Sequence, residues 1–325
     1  MRFIFFLIFW LIPLAGSIAQ QRYTIQELPV SKRYWLNPYA INDRGDIAGY
    51  CFDEPDDETY VFISRPGLGV SISHDNYYFP PRLLNQQGDL FFHSEESGHP
   101  VVQYDSQNRR SIAFQVDGLI HSANDCDQFV FGPAPWSNTP RHEVFVFDHG
   151  VRKPLTALFG ESFSWIHLNN RGELLSTVHS GRSWLRYYNL ASGYTYDLTL
   201  QGDLAAIEIN DRGDWLFLQW TGEQPTLIYW PQGGKMQTFP LPDYSRWVWG
   251  ALNDKGQFLI SDTHRHLCKL LVNDQLVDVT QMVDFAGTAF IQILYLHDLN
   301  NHGQLVGMGL THDGHHRAIL LNPPQ

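Results

Sequence analysis

Three titratable residues occupy one recurring place in the chain. His167, Glu208 and Asp298 each stand two residues before an Asn that opens a turn, at Asn169, Asn210 and Asn300. The same place holds Ala40, Leu83, Ser122 and Ala251 elsewhere. A His beside a carboxylate can move a proton as general base or acid, so this trio is the candidate for catalysis. A satisfied structural pair, or the lining of a water-filled channel, would use the same residue types. A second set is histidine-rich: His264 and His266 in "DTHRH", and His312, His315 and His316 in "THDGHH". With Asp53, Asp56, Asp57 and Glu58 of "DEPDDE", and with "HSEESGH" at 93–99, they offer the imidazole and carboxylate ligands that suit zinc or nickel. They also suit a pH-sensitive patch, since His titrates near ~6.5. Solvated hairpin tips have the same composition, and no HExxH spacing is present. A divalent metal is therefore the one cofactor the residues suggest, and otherwise none is expected.

A third set is aromatic. Tyr34, Trp35 and Tyr39, then Tyr77, Tyr78 and Phe79, Phe163 and Trp165, Tyr244, Trp247 and Trp249, and Phe290 and Tyr295 precede successive turns. Exposed rings make a stacking platform for sugars or a peptide. Packing between wedge-shaped layers demands large rings as well. Trp35, Tyr39, Tyr78, Trp165 and Trp249 are the expected ligand contacts.

What must position these residues is a repeat. An Asn recurs at 42, 85, 124, 169, 210, 253 and 300, at a period of roughly 40–45 residues that marks radial β architectures. An apolar residue precedes each Asn, and a Gly follows three later at 45, 88, 172, 213, 256 and 303. Asn opens a type I turn and Gly supplies the positive φ that closes a bulged hairpin. In the third copy Asp127 stands in place of Gly, and Asp tolerates the left-handed region better than most residues. A second strand follows each turn, then a third such as "YVFIS", "TLIYW" or "RAILL". Four short strands per copy describe a propeller blade.

The last copy ends after its third strand, while "RYTIQELPVSKRYW" near the start matches the fourth strand of the fifth copy. The fold expected is all-β: a seven-bladed β-propeller of four-stranded blades, closed by an N-terminal strand pairing in the last blade, which hides a raw sheet edge. Asn-Gly turns then lie on one face. Second-to-third turns and inter-blade links lie on the other, the top, where blades six, seven, one and two would gather the His and acid tips.

The copies resemble the bacterial extracellular HAF repeats, whose pattern is an apolar–Asn–x–x–Gly turn followed by a His-Ala-Phe-like third strand. "HEVFVFDHG" from His142 and "HRAILLN" from His316 carry the resemblance best, which covers about 22–325. It implies an exported repeat protein and brings no catalytic residues with it.

The first residues agree with export. Arg2 precedes an apolar run, and Ser17 and Ala19 fit a cleavage site before Gln20, the pattern of a secretory leader. The expected organisation is a signal peptide over 1–19 and one propeller over 20–325, periplasmic or secreted, with no membrane span once the leader is cut. The 325 residues carry a formal net charge of −12 with 14% aromatics. No basic run stands out, so nucleic acid and anionic membrane surfaces are poor partners. Cys51, Cys126 and Cys268 fall on non-neighbouring blades and are expected as free thiols, two of them buried. There is no G-x-S-x-G elbow, P-loop or dinucleotide fingerprint, and "NDRGD" lacks EF-hand spacing.

These readings converge on an exported, monomeric, non-catalytic binding module that takes a glycan, peptide or protein partner of the envelope or extracellular space on its top face. Two rivals are a propeller hydrolase or lyase working at the channel mouth through His167, Glu208 and Asp298, and a structural envelope docking protein.

Overall fold

A computed structural model describes residues 22–31, 33–53, 55–76, 83–94, 100–114, 118–132, 143–159, 163–245 and 248–324. The sheets follow the repeat. Blade 1 is Tyr34–Ile41, Ile47–Asp53, Glu58–Arg65 and Gly69–Asn76, and blade 2 runs from Leu83 to Phe114. Blade 3 runs from Leu119 to Pro154, blade 4 from Phe163 to Leu198, blade 5 from Asp203 to Pro240 and blade 6 from Val248 to Asp278. Blade 7 takes Phe290–Leu299, Leu305–Thr311 and His316–Asn322 from the end of the chain and Tyr23–Glu27 from its start. Ile25 pairs antiparallel with Leu321, and Tyr23 pairs parallel with Val283 on the outer side. The expected closure is therefore present.

The turn chemistry also holds. Each expected Gly adopts a φ between +70° and +85°, and Asp127 takes +54° in the same role. The Asn does more than open the turn. In blade 1, Asn42 Oδ1 accepts from the Arg44 and Asp46 amides at 3.0 and 2.9 Å, while Nδ2 donates to the Asp46 carboxylate at 3.1 Å. Nδ2 also donates to the next blade's Asn carbonyl. Such links join Asn42 to Asn85, Asn124 to Asn169, Asn169 to Asn210, Asn210 to Asn253, Asn253 to Asn300 and Asn300 back to Asn42, at 2.7–3.0 Å.

The residue after each Asn makes a second belt. The amides of Asp43, Gln86, Asp125, Asn170, Asp211, Asp254 and Asn301 each donate to the side chain of the next member, 2.6–2.8 Å away, and the last closes on Asp43. The first belt satisfies buried Asn side chains that would otherwise cost about 1–3 kcal/mol each, while the second runs through half-buried and exposed groups.

Between blades the faces interlock through apolar side chains. Leu175 and Leu185 of blade 4 meet Ile209, Phe217 and Ile228 of blade 5 in one core cluster. Leu28, Leu36 and Phe62 meet Val306 and Met308 across the closure. Burying each such side chain is worth about 1.5–3 kcal/mol, so the core is a ring of inter-blade layers. Tyr244 and Phe290, weighed as platform rings, belong to it at 4% and 3% exposure. Wedge filling is the reason.

Cys51 and Cys268 are buried, Cys126 is exposed, and all three are free. No described helix is long and apolar enough to cross a membrane. The expected leader, 1–19, lies outside the described residues, as do Tyr77, Tyr78, Phe79, Trp247 and His142.

Candidate functional site

A ladder of aromatic rings lies where the ring closes, between blades 7 and 1. The innermost strands Tyr34–Ile41 and Phe290–Leu299 each slip register near the channel, between Pro38 and Ala40 and between Leu296 and Asp298. The residues at the slips are Tyr39 and His297. A bulge of this kind re-aims a side chain, and here it brings the two rings into a stack at 4.2 Å and 21°.

The neighbouring strand has to make room. At Gly49 a Cβ would sit 2.1 Å from the Asn37 carbonyl oxygen, and at Gly307 one would sit 2.1 Å from that of Tyr295. Both glycines stand seven residues after the repeat Asn, a place that holds Phe92, Phe131, Ser176, Phe217 and Ile260 in the other blades.

From the stack a ladder of rings continues. Tyr39 approaches Tyr50 at 5.6 Å, Tyr50 meets Trp35 edge-on at 6.2 Å, and His297 meets Tyr295 at 5.0 Å. Asn37, which is buried, donates from Nδ2 to Tyr50 Oη at 2.8 Å, and its Oδ1 has no partner among the described residues. Burial pushes the Tyr295 hydroxyl well above its usual range, with the Tyr50 and Tyr39 hydroxyls adding to the shift. Tyr295 therefore stays neutral, and its hydroxyl offers a donor and an acceptor beside apolar ring faces.

Among the described aromatic residues expected in inter-blade links, Tyr244 keeps its link and the others stand on the innermost strands themselves. Trp35 and Tyr39 share the blade 7–blade 1 wall, Trp165 lies 5.0 Å from His121 at the blade 3–blade 4 boundary, and Trp249 is on blade 6. Three separate blades carry the three tryptophans. Asn37, Tyr50 and His297 escaped the sequence reading, although the two unusual glycines marked the blades that hold them.

The channel trio is brought partly together. His167 Nδ1 lies 3.5 Å from Glu208 Oε1 across the blade 4–blade 5 boundary. Glu208 helps to line a cavity of about 260 Å³ with Ser122, Asp125, Asn170, Asp211 and Asp254. Asp298 is committed to the backbone: its carboxylate accepts from the Ile41 and Leu299 amides, both at 2.8 Å. Burial raises its pKa to about 7, the two amide bonds oppose the rise, and Glu208 and Asp43 add to it. Burial also raises Asp211, with Asp254 and Asp125 contributing repulsion.

The histidine-rich tips belong to blades 6 and 7, and residues 95–99 of the blade 2 tip lie outside the described residues. His264 and His266 are in the blade 6 tip and His312, His315 and His316 in that of blade 7, with His315 3.8 Å from Asp313. Among the described residues no group of three His, Cys, Asp or Glu side chains is placed to hold a metal ion. Asp53 is not a solvated tip acid: it is fully buried and accepts from Arg33 Nε through both oxygens at 2.8 Å. Asp262, its counterpart in blade 6, is equally buried and caps its own tip by accepting from the His264 and Arg265 amides at 3.0 and 3.1 Å.

Fold and channel together define a seven-bladed β-propeller whose ring is closed by its N-terminal strand. No family model matches the chain, and no curated protein does. Among solved structures it is similar to streptogramin B lyase, with a TM-score of 0.60 and 10% identity over 94% of this chain and 100% of that one. It is similar to the uncomplexed acylaminoacyl peptidase of Pyrococcus horikoshii, at a TM-score of 0.59 and 12% identity over 92% of this chain and 53% of that one. The β-propeller domain of the Trilobed protease from Pyrococcus furiosus, which has an open velcro topology, gives a TM-score of 0.57 and 12% identity over 88% and 95%. At such identities the likeness is one of fold.

Proposed function

We propose that this protein is an exported, monomeric binding module that takes a glycan or an extended peptide along the blade 7–blade 1 wall of its channel. The observation that carries the reading is the stack of Tyr39 on His297, extended through Tyr50 and Trp35. Rings held on strands offer large contact area at low entropy cost, and flanking hydroxyls and an amide fix orientation. Export and kinship with HAF repeats belong to this proposal and rest on the leader-like start and the repeat pattern.

The test is a titration of the purified protein with envelope glycans and peptides, read by tryptophan fluorescence and by melting temperature. Trp35→Ala and Tyr39→Ala should each weaken the responding ligand by about 10-fold, the worth of one ring contact. A ligand that binds both variants as tightly as the native chain does not use this wall.

One specific observation favours a second reading, a propeller enzyme. His167 and Glu208 pair beside a polar cavity, and a lyase shares the fold over nearly the whole chain. A hydrolase or lyase working there would lose turnover in His167→Ala and Glu208→Gln, while binding at the ring ladder stayed intact.

A further inference from the structure

The top of blade 4 carries a serine–histidine unit that ligand binding at blades 7 and 1 does not need. Ser164 Oγ lies 2.8 Å from His179 Nε2, and His179 Nδ1 lies 2.8 Å from Ser183 Oγ. The residues come from three strands of one sheet. Ser164 stands where the innermost strand slips register between Phe163 and Ile166, so its side chain is re-aimed by a bulge. His179 ends the second strand and pairs directly with Ser183, which starts the third. The Ser183 amide donates to Asp203 Oδ1 of blade 5 at 3.2 Å, which fixes the start of that strand. The His179 ring is exposed and Ser164 is half-buried, so both are open to solvent.

We infer that Ser164 is a nucleophile and His179 its general base, in an acyl-transfer site that acts on carboxylic esters with good leaving groups. The hydrogen bonds suit this order. With Nδ1–H donated to Ser183, Nε2 carries the lone pair and accepts from Ser164 O–H, the tautomer a general base requires. Ser183 is a positioning residue. It is a neutral hydroxyl where better-known triads hold a carboxylate, so it supports the imidazolium only weakly. This restricts turnover to activated esters and leaves amides untouched.

In the acylation step Ser164 Oγ bonds to the acyl carbon and its proton passes to Nε2. The ester C–O bond breaks, and the leaving alkoxide takes that proton and departs as the alcohol. Water then attacks the acyl-serine, giving its proton to Nε2. The carboxylic acid leaves and Ser164 Oγ recovers the proton. No redox partner is needed.

Intact-mass analysis after incubation with a fluorophosphonate, and hydrolysis of p-nitrophenyl acetate, test this on the purified protein. A single adduct on Ser164 is expected, together with ester turnover that Ser164→Ala reduces to the buffer rate. His179→Asn should slow labelling by about 100-fold, the low side of general-base contributions. Ser183→Ala should slow labelling by removing the acceptor that orients the His179 ring, and Ser183→Thr, which keeps that hydroxyl, should restore it. Failure of the native protein to label at Ser164 overturns the inference without any variant. So does labelling of His179→Asn at the native rate, or ester hydrolysis unchanged in Ser164→Ala.

Discussion

Asn300 in the last blade donates from Nδ2 to the main-chain carbonyl of Asn42 in the first, at 3.0 Å, across 258 residues of sequence. The same contact recurs between sequence-adjacent blades, so the closing junction is built like the others rather than patched. Six of the repeat Asn, all but Asn85, therefore show two jobs, capping their own turn through Oδ1 and tying the next blade through Nδ2.

Asn42→Ala should destabilise the protein by at least about 2 kcal/mol, because buried amides and a buried carbonyl lose their partners. Asn42→Asp keeps the acceptor, loses the donor and places a charge beside Asp46, so it should be no better. Urea unfolding midpoints decide the matter. An aspartate variant as stable as the native protein would mean that the inter-blade bond contributes nothing.

How much of this was legible depended on whether the partner was local. The turn at Asn42, the φ of Gly45 and the role of Asp127 follow from residues within four positions, and they were readable. So was closure, because the missing fourth strand and the spare N-terminal strand are matching fragments of one pattern. The belts were half visible: Asp, Asn or Gln always follows the repeat Asn, yet only the radial arrangement shows that these side chains accept from the neighbouring blade. Asp53 was misread because its partner, Arg33, lies in another part of the chain. The ladder needed the bulges at Tyr39 and His297, which alternation along a strand does not anticipate, although Gly49 and Gly307 were its trace.

Those glycines should not tolerate a methyl group. Gly49→Ala would put a Cβ 2.1 Å from the Asn37 carbonyl oxygen and 2.8 Å from the Phe62 ring. Backbone cannot yield as a side-chain tip can, so a loss of about 1–3 kcal/mol is expected, as for other overpacked sites. The Tyr39–His297 stack should open with it, weakening any ligand of that wall. Gly67→Ala is a control for space, since a Cβ there meets nothing within 4 Å, although its positive φ carries a smaller cost. Thermal melts of Gly49→Ala that match the native protein would remove the close approach from the account.

Removing residues 22–30 should unfold the whole ring. Tyr23 and Leu28 are buried, and Ile25 packs into the blade 7 core. Their strand covers an edge that would otherwise pair with other chains. The expected result is loss of cooperative melting, or aggregation. A truncated chain with the native melting temperature would show that blade 7 stands on three strands.

Thiol chemistry offers a fast check on the blade assignment. Burial pushes the thiols of Cys51 and Cys268 up to about 12, and both are enclosed, whereas Cys126 sits exposed on its turn. A thiolate-seeking reagent should modify one cysteine per native chain, mapped to Cys126, and all three after denaturation. Rapid native labelling of Cys51 or Cys268 would place those residues outside the core.

Asp298 gives the fold a dependence on pH whose sign can be worked out. Unfolded, its carboxyl titrates near ~3.9. In the folded protein burial raises this to about 7, with Glu208 and Asp43 adding repulsion. Between these values the native state binds more protons than the unfolded chain, so stability falls as pH rises. The contribution is complete below ~4 and lost once pH has passed about 7. Asp298→Asn cannot ionise and should not show this component. It also replaces one acceptor oxygen with a donor facing the Ile41 or Leu299 amide, so at low pH it should be the less stable protein. Unfolding midpoints of both proteins measured from pH 4.5 to 8 should therefore converge as pH rises. Parallel curves would mean that Asp298 titrates as an ordinary carboxyl and that the channel does not hold it protonated.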